Sequence, residues 1–287
     1  MNFRQYEDGS FHASQTAFIE KMLTKFGIDG KDECKTPLEK GFTISDEDLT
    51  DNPLPEHVNL ARQILGSLTY VQMWTRPDIS YPVNMMARHV VKATASYIEK
   101  LRKILRYLKG TKTYGLKFSA VDPLGHPDGL LYSYVDASDA DCKQTRRSSG
   151  GYIIMYNGTA ISWRSARQPL VTLSTAESEY VQATLTCQEI LNLRNLYHEM
   201  GFGQDAPTLL FEDNQAAIDL SKNPCSRGRT KHMERRWHFV RQCNDDHSIM
   251  LSKVKGTINP ADTMTKALPY DPYVMYRRML GVLPPGM

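Results

Sequence analysis

A chain of 287 residues is long enough for two domains, and a hydrophobic content of 41% is enough for ordinary cores. A net charge of +3 commits the whole chain to no particular partner, so its distribution says more than its total. No apolar run approaches about 18 residues, so no transmembrane helix and no membrane partner is expected. The opening Met1-Asn-Phe-Arg-Gln-Tyr-Glu-Asp8 has no apolar signal region, and the five cysteines form no C-x-x-C pair. The expectation is reduced thiols in an intracellular setting, cytoplasmic or nuclear, with no secretion.

In chain order, residues 3–12 read as a hairpin turned at Asp8-Gly9, a pair suited to the type I′ turn. A helix is expected over 15–26, with Phe18, Met22 and Phe26 at helical spacing and Gly27 placed to end it. Residues 28–55 are rich in Gly, Pro, Lys and Asp and read as exposed loop. A helical block spans 55–110 and is broken at Arg76-Pro77. Its best helix, 97–109, opens on a Ser96/Glu99 capping box and carries the stripe Ile98, Leu101, Leu105 and Leu108. Lys100, Arg102, Lys103, Arg106 and Lys109 fill much of the remaining surface, as a solvated face or as a phosphate-contacting one.

Residues 119–130 are turn-rich and read as a linker. Strands follow at 132–136, 151–156 and 160–164, the last two joined at Asn157-Gly158. Beyond them come a long helix over 175–200 closed by Gly201, a strand at 208–212, helices at 214–222 and 231–244, a strand at 249–255 and a helix at 261–267. A meander of strands followed by alternating helices and strands suits an α/β or α+β sheet covered by helices.

Four acids stand at the ends of these elements, where a rigid scaffold can aim them into one cleft. Asp136 leaves an apolar strand, Glu177 starts the long helix, Asp213 ends the strand Leu209-Leu-Phe-Glu-Asp213, and Asp262 follows Pro260 at a helix start. Each has a structural competitor, which for Asp136 is an ordinary turn aspartate at a strand end. Ser174 and Glu177 make a capping box, Asp213 is placed to cap the following helix, and Asp262 suits the electrostatics of a helix N-terminus. Glu179 is a rival to Glu177, but it points about 200° around the helix at 3.6 residues per turn, so one of the two faces the sheet. Arg227, Arg229, Lys231, Arg235, Arg236 and Arg241, interleaved with Trp237 and Phe239, form a basic tract that reads as a solvated helix or a groove for a nucleic-acid backbone.

Several ordered motifs carry a family resemblance over about residues 132–268. They are Val135-Asp-Ala-Ser-Asp-Ala, Arg147-Ser-Ser-Gly-Gly-Tyr152, Ile161-Ser-Trp-Arg164, Leu173-Ser-Thr-Ala-Glu-Ser-Glu-Tyr180, Glu212-Asp-Asn-Gln-Ala-Ala-Ile218, Arg229-Thr-Lys-His232, Arg236-Trp-His-Phe-Val240 and Ala261-Asp-Thr-Met-Thr-Lys266. Together they resemble the ribonuclease H domain of copia-type LTR-retrotransposon polyproteins. The resemblance implies a ribonuclease H-like mixed sheet flanked by helices. It also implies metal-dependent cleavage of the RNA strand of RNA–DNA hybrids by Asp136, Glu177, Asp213 and Asp262, holding two Mg²⁺ ions, or Mn²⁺ in their place. Of the two glutamates it favours Glu177. Asn214, Gln215, Arg229, Lys231, His232, Arg235 and Arg236 are the expected contacts to the hybrid.

The first block has its own resemblance. Asp8-Gly-Ser-Phe-His-Ala-Ser-Gln15, Phe18-Ile-Glu-Lys21, Leu65-Gly-Ser-Leu-Thr-Tyr70 and Arg76-Pro-Asp-Ile79 look like the end of a copia-type reverse transcriptase, its thumb and connection. The polymerase's Tyr-x-Asp-Asp motif is absent. The expected organisation is therefore a mainly helical thumb/connection-like segment over 1–118, a linker over 119–130, a ribonuclease H-like domain over 131–270 and a C-terminal helix or tail over 271–287. The chain reads as a piece of a retroelement Pol protein whose other parts are possible partners. A non-catalytic nucleic-acid-binding remnant and a DDE-type integrase core are the alternatives.

Overall fold

Asn157 and Gly158 both adopt positive φ, 46° and 72°, and so make the tight two-residue turn that the sequence signals between two strands. That turn sits in a computed structural model describing residues 1–28, 30, 32–126, 129–138, 146–222 and 234–287; of Lys222, Glu234, Arg235 and Trp237 it describes the backbone alone. The chain forms two units, Met1–Ala120 together with Lys266–Met287, and Val121–Thr265. No helix among the described residues is long and apolar enough to cross a membrane.

In the first unit, strands β1 (Asn2–Gln5), β2 (Phe11–Ser14), β3 (Gly115–Phe118) and β9 (Val282–Leu283) form an antiparallel sheet in that order. The β1–β2 connection is not the expected type I′ turn. Only Gly9 has positive φ, the Tyr6 and Ser10 backbones close a longer loop, and Asp8 Oδ1 accepts the Ser10 N–H at 2.9 Å. Helices α1 (Thr16–Lys25), α2 (Pro55–Trp74), α3 (Ser80–Ala87) and α4 (Ala95–Gly110) bury Ile19, Ile64, Leu68, Leu101 and Ile104 in one core.

The expected Ser96/Glu99 box is replaced by Thr94, whose side chain accepts the Tyr97 N–H, while Ser96 Oγ donates to Asp48 Oδ1 at 2.8 Å. On the basic face of α4, Lys100 pairs with Asp48, Arg102 with Glu99 and Lys103 with Glu39. Those carboxylates favour the solvated-face reading of this helix. Helix α8 (Tyr270–Met279) sends Tyr273 and Tyr276 into the same core, and β9 pairs with β3. The C-terminal segment is thus an integral part of the first unit and not a separate tail.

The second unit is a five-stranded sheet of β4 (Leu131–Ser138), β5 (Ser149–Tyr156), β6 (Thr159–Arg167), β7 (Thr208–Glu212) and β8 (Ile249–Lys253), in the order β6-β5-β4-β7-β8. The β6-β5-β4 half is an antiparallel meander, and β4, β7 and β8 run parallel. This is the mixed α/β sheet expected. Helices α5 (Thr175–Glu199), α6 (Gln215–Lys222) and α7 (Glu234–Asp245) connect its later strands. One face of the sheet, carrying Val135, Ile154 and Leu210, packs on Tyr180, Cys187 and Ile190 of α5 and Val240 and Cys243 of α7. On the other face Tyr134 stacks on Phe211 with ring centroids 5.0 Å apart, and His126 lies 4.0 Å from the Tyr132 ring. His126 belongs to the segment expected as a free linker. Asp122 is buried, and Pro123 sits so close to Gly158 that a Cβ there would meet it at 2.2 Å. The segment from Val121 is therefore part of the sheet's packing.

Candidate active site

The parallel register pairs Tyr134 of β4 with Phe211 of β7. Two residues further on, Asp136 and Asp213 come level at the C-terminal ends of adjacent strands. Across the antiparallel side, Asp136 stands opposite Gly151. Helix α5 brings Glu179 to the same place. One carboxylate oxygen each from Asp136, Glu179 and Asp213 lies within 4.8 Å of the other two, with Asp136 and Glu179 buried and Asp213 half-buried.

The expected choice between the two glutamates is reversed. Glu177 accepts the Leu173 N–H on Oε2 at 2.8 Å, and its own N–H donates to Ser174 Oγ at 3.2 Å. Its carboxylate serves the entry to α5 by binding Leu173, one residue before the Ser174 of the expected capping box. Glu179 lies in line with Ala183, Cys187 and Ile190, all buried. The spacing i, i+4, i+8, i+11 is the sequence signal for an inward face. The corresponding line from Glu177, through Val181 and half-buried Leu185, reaches exposed Gln188.

Asp262 stands in a 3₁₀ turn, Pro260–Met264, and not in the expected 261–267 helix; it lies outside the three-carboxylate group. The turn reaches the group through Thr265, whose hydroxyl donates to Asp136 Oδ2. The cap seen on α6 is Asn214 in place of the expected Asp213, its Oδ1 accepting the Ala216 N–H at 2.9 Å and the Ala217 N–H at 3.3 Å. Gln215 is turned along the helix, donating to Asp219 at 2.9 Å. Arg229, Lys231 and His232 lie outside the described residues, as does the side chain of Arg235; Arg236 is half-buried on α7.

Sequence pattern gives Glu212 no role beyond its place in the Glu-Asp-Asn motif. It is fully buried, Oε1 accepts the Asn214 N–H at 2.9 Å, and Oε2 has no hydrogen-bond partner. Burial pushes its carboxyl up to about 8; the Asn214 N–H opposes that, and the nearby Asp213 and Asp136 charges add to the rise. Gly256 also comes close: a Cβ there would stand 2.9 Å from Asp213 Oδ2. The three clustered carboxylates form an all-oxygen donor set, which suits a hard divalent cation such as Mg²⁺ or Mn²⁺.

No protein-family model matches the chain. The retrovirus-related Pol polyprotein from transposon TNT 1-94 of Nicotiana tabacum is 35% identical over 94% of this chain, which spans 20% of that protein. The Pol polyprotein from transposon RE1 of Arabidopsis thaliana is 31% identical over 96% of the chain, which spans 18% of it.

This chain belongs to the Pol polyproteins of copia-type LTR retrotransposons. It spans about one fifth of the length of these curated Pol relatives. An uncharacterized mitochondrial protein of Arabidopsis thaliana is 33% identical over 62% of the chain and 70% of its own length. Among solved structures, LC11-RNase H1 in complex with RNA/DNA hybrid overlaps 47% of the Pol segment and 93% of its own chain, at 10% identity and a TM-score of 0.36. The foamy viral protease-reverse transcriptase in complex with dsDNA overlaps 89% and 45%, at 12% identity and a TM-score of 0.45.

Proposed function

We propose that this Pol segment is a ribonuclease H that hydrolyses the RNA strand of RNA–DNA hybrids, with Asp136, Glu179 and Asp213 holding divalent cations and Asp262 completing the set from the neighbouring turn. The observation that carries the reading is the convergence of three carboxylates from β4, α5 and the end of β7 within 4.8 Å. Carboxylates this close repel one another strongly, and a cation offsets that repulsion. Divalent ions, when bound, supply positive charge that activates water and stabilises the leaving oxygen in phosphodiester hydrolysis. The chain's own contribution is to fix the donor oxygens on strand ends and a long helix, so that little reorganisation is needed. Selectivity for RNA would come from contacts to 2′-hydroxyls. The basic tract around α7 supplies charge for the hybrid backbone.

The only adjacent aspartates, Asp245 and Asp246, close helix α7, where Asp246 Oδ1 accepts the Ser248 N–H at 3.0 Å. They do not form a Tyr-x-Asp-Asp motif, so no primer extension is expected from this chain. The deciding experiment incubates the purified protein with a labelled RNA–DNA hybrid, with Mg²⁺ and then with excess EDTA. Metal-dependent loss of the RNA strand supports the proposal. Binding without cleavage supports the non-catalytic remnant, and cleavage that survives EDTA refutes a metal-dependent site.

A further inference from the structure

We propose that Thr265 is a positioning residue for Asp136, setting the orientation of that carboxylate and hence the affinity of the acidic cluster for a divalent cation; this rests on the metal-dependent reading above. The segment leading to Thr265 is held across the sheet at the level of Asp136. Asn259 is fully buried, and its Nδ2 donates to the Val135 carbonyl at 2.9 Å, one residue before Asp136. Ser165 Oγ donates to the Met264 carbonyl at 2.6 Å, one residue before Thr265. Gly151 faces the same segment, and a Cβ there would stand 2.2 Å from Met264 Cβ. The missing side chain opposite Asp136 is what lets the turn approach.

The turn then delivers one hydroxyl. Thr265 is 1% exposed, and its Oγ1 donates to Asp136 Oδ2. The alternative acceptor, the Asp262 carbonyl, is 3.4 Å away and so the weaker one. A hydroxyl fixed on one carboxylate oxygen restricts rotation of the group and so fixes how it is presented to the cluster. It also eases the repulsion among three clustered carboxylates. Hydrogen bonds of this kind to metal-ligating groups change metal affinity by about 10- to 100-fold when removed.

The test uses the full chain and four proteins: the unaltered sequence, Thr265→Val, Thr265→Ser and Asp136→Asn. Mn²⁺ binding is measured by calorimetry on metal-free protein, alongside the melting temperature without metal. Thr265→Val keeps the shape and loses the hydroxyl, so Mn²⁺ affinity is expected to fall about 10-fold or more. Thr265→Ser keeps the hydroxyl and should retain most of the affinity even if its missing methyl lowers the melting temperature. Unchanged affinity in Thr265→Val, with Asp136→Asn impaired, overturns the role of Thr265 and leaves the metal site standing. Equal losses of affinity in Val and Ser, tracking their melting temperatures, overturn it in favour of packing. If Asp136→Asn binds Mn²⁺ as the unaltered chain does, the metal-site reading itself fails.

Discussion

The Glu177 carboxylate accepts the backbone N–H of Leu173 at 2.8 Å, tying the segment before α5 to the first turn of that helix. Two residues on, Glu179 joins Asp136 and Asp213. Neighbouring acids of one motif therefore serve different ends, one the helix entry and one the cluster.

The two substitutions are expected to separate. Glu179→Gln removes a charged donor and should reduce hybrid cleavage by two orders of magnitude or more, on the order of what loss of a key electrostatic group costs an enzyme. Its melting temperature should hold or rise, because one of three mutually repelling charges is gone. Glu177→Gln keeps an oxygen for the Leu173 N–H and should leave turnover within a few-fold. Turnover at saturating Mg²⁺ and melting temperature without metal check both. Full activity in Glu179→Gln would remove that residue from the site.

Gly150 and Gly151 face opposite sides of β5 and should differ in tolerance. At Gly150 an added Cβ would stand 2.0 Å from Gln182 Oε1, the end of a side chain that can swing aside. At Gly151 it would meet Met264 Cβ at 2.2 Å and the Arg164 carbonyl at 3.1 Å, neither of which yields without backbone movement. Gly151→Ala is expected to destabilise the second unit by about 1–3 kcal/mol, the usual cost of overpacking, and Gly150→Ala by less. Urea unfolding of both variants measures the difference, and equal losses would contradict the role assigned to Met264.

The parts of this architecture that depend on local pattern were legible in the sequence. The Asn157-Gly158 turn, the break at Arg76-Pro77 and the order of strands and helices from residue 131 to β8 all follow from turn chemistry and hydrophobic period. That Glu179 and not Glu177 joins Asp136 and Asp213 is hidden in the motif, because a residue at a helix entry and a residue of the cluster carry the same carboxylate two positions apart. It was recoverable from the buried line Glu179, Ala183, Cys187, Ile190. Glu212 and Thr265 were not recoverable by spacing, since each acts through a partner distant in sequence or across a turn. The docking of Val121–His126 on the sheet was hidden for a similar reason: Asp-Pro and Gly-His signal a turn and say nothing of what the turn packs against.

The basic tract makes a prediction through salt. Replacing Arg235 and Arg236 together by Ala should weaken hybrid binding and flatten the slope of log affinity against log salt. The change is about 0.9 for each phosphate no longer neutralised on B-form duplex DNA, and similar on a hybrid. Fluorescence anisotropy across a salt series reads the slope. A slope equal to that of the unaltered chain would return the tract to a solvated helix surface.

The buried ion pair of the first unit makes the last one. Arg76 and Asp78 have fully buried side chains and pair at 2.8 Å, and Arg76 also donates to the Thr111 carbonyl at 2.9 Å. Tyr107 donates its hydroxyl to Asp78 Oδ2 at 2.5 Å, and the Tyr273 hydroxyl donates to the Asp78 carbonyl at 3.1 Å, so helices α4 and α8 both depend on this one residue. Burial alone would raise the Asp78 carboxyl. The Arg76 charge and the hydrogen bonds from Arg76 and Tyr107 outweigh burial and hold it below the ordinary aspartate value of 3.8. A group whose folded pKa is depressed contributes stability that is present above its unfolded pKa and is lost as pH falls through the folded one. Asp78→Asn leaves the Arg76 guanidinium buried without its counter-charge and should cost about 3–5 kcal/mol at neutral pH. Acidification should weaken the unaltered chain toward the variant, so the gap between them narrows below about pH 3.8. Urea unfolding at pH 7 and pH 3, followed in the first unit, checks the sign. A gap that stays constant would mean that the Asp78 charge is not what holds Arg76 in place. Replacing both residues by apolar ones of similar volume should recover much of the loss, because a buried pair is expensive to break and cheap to substitute as a whole.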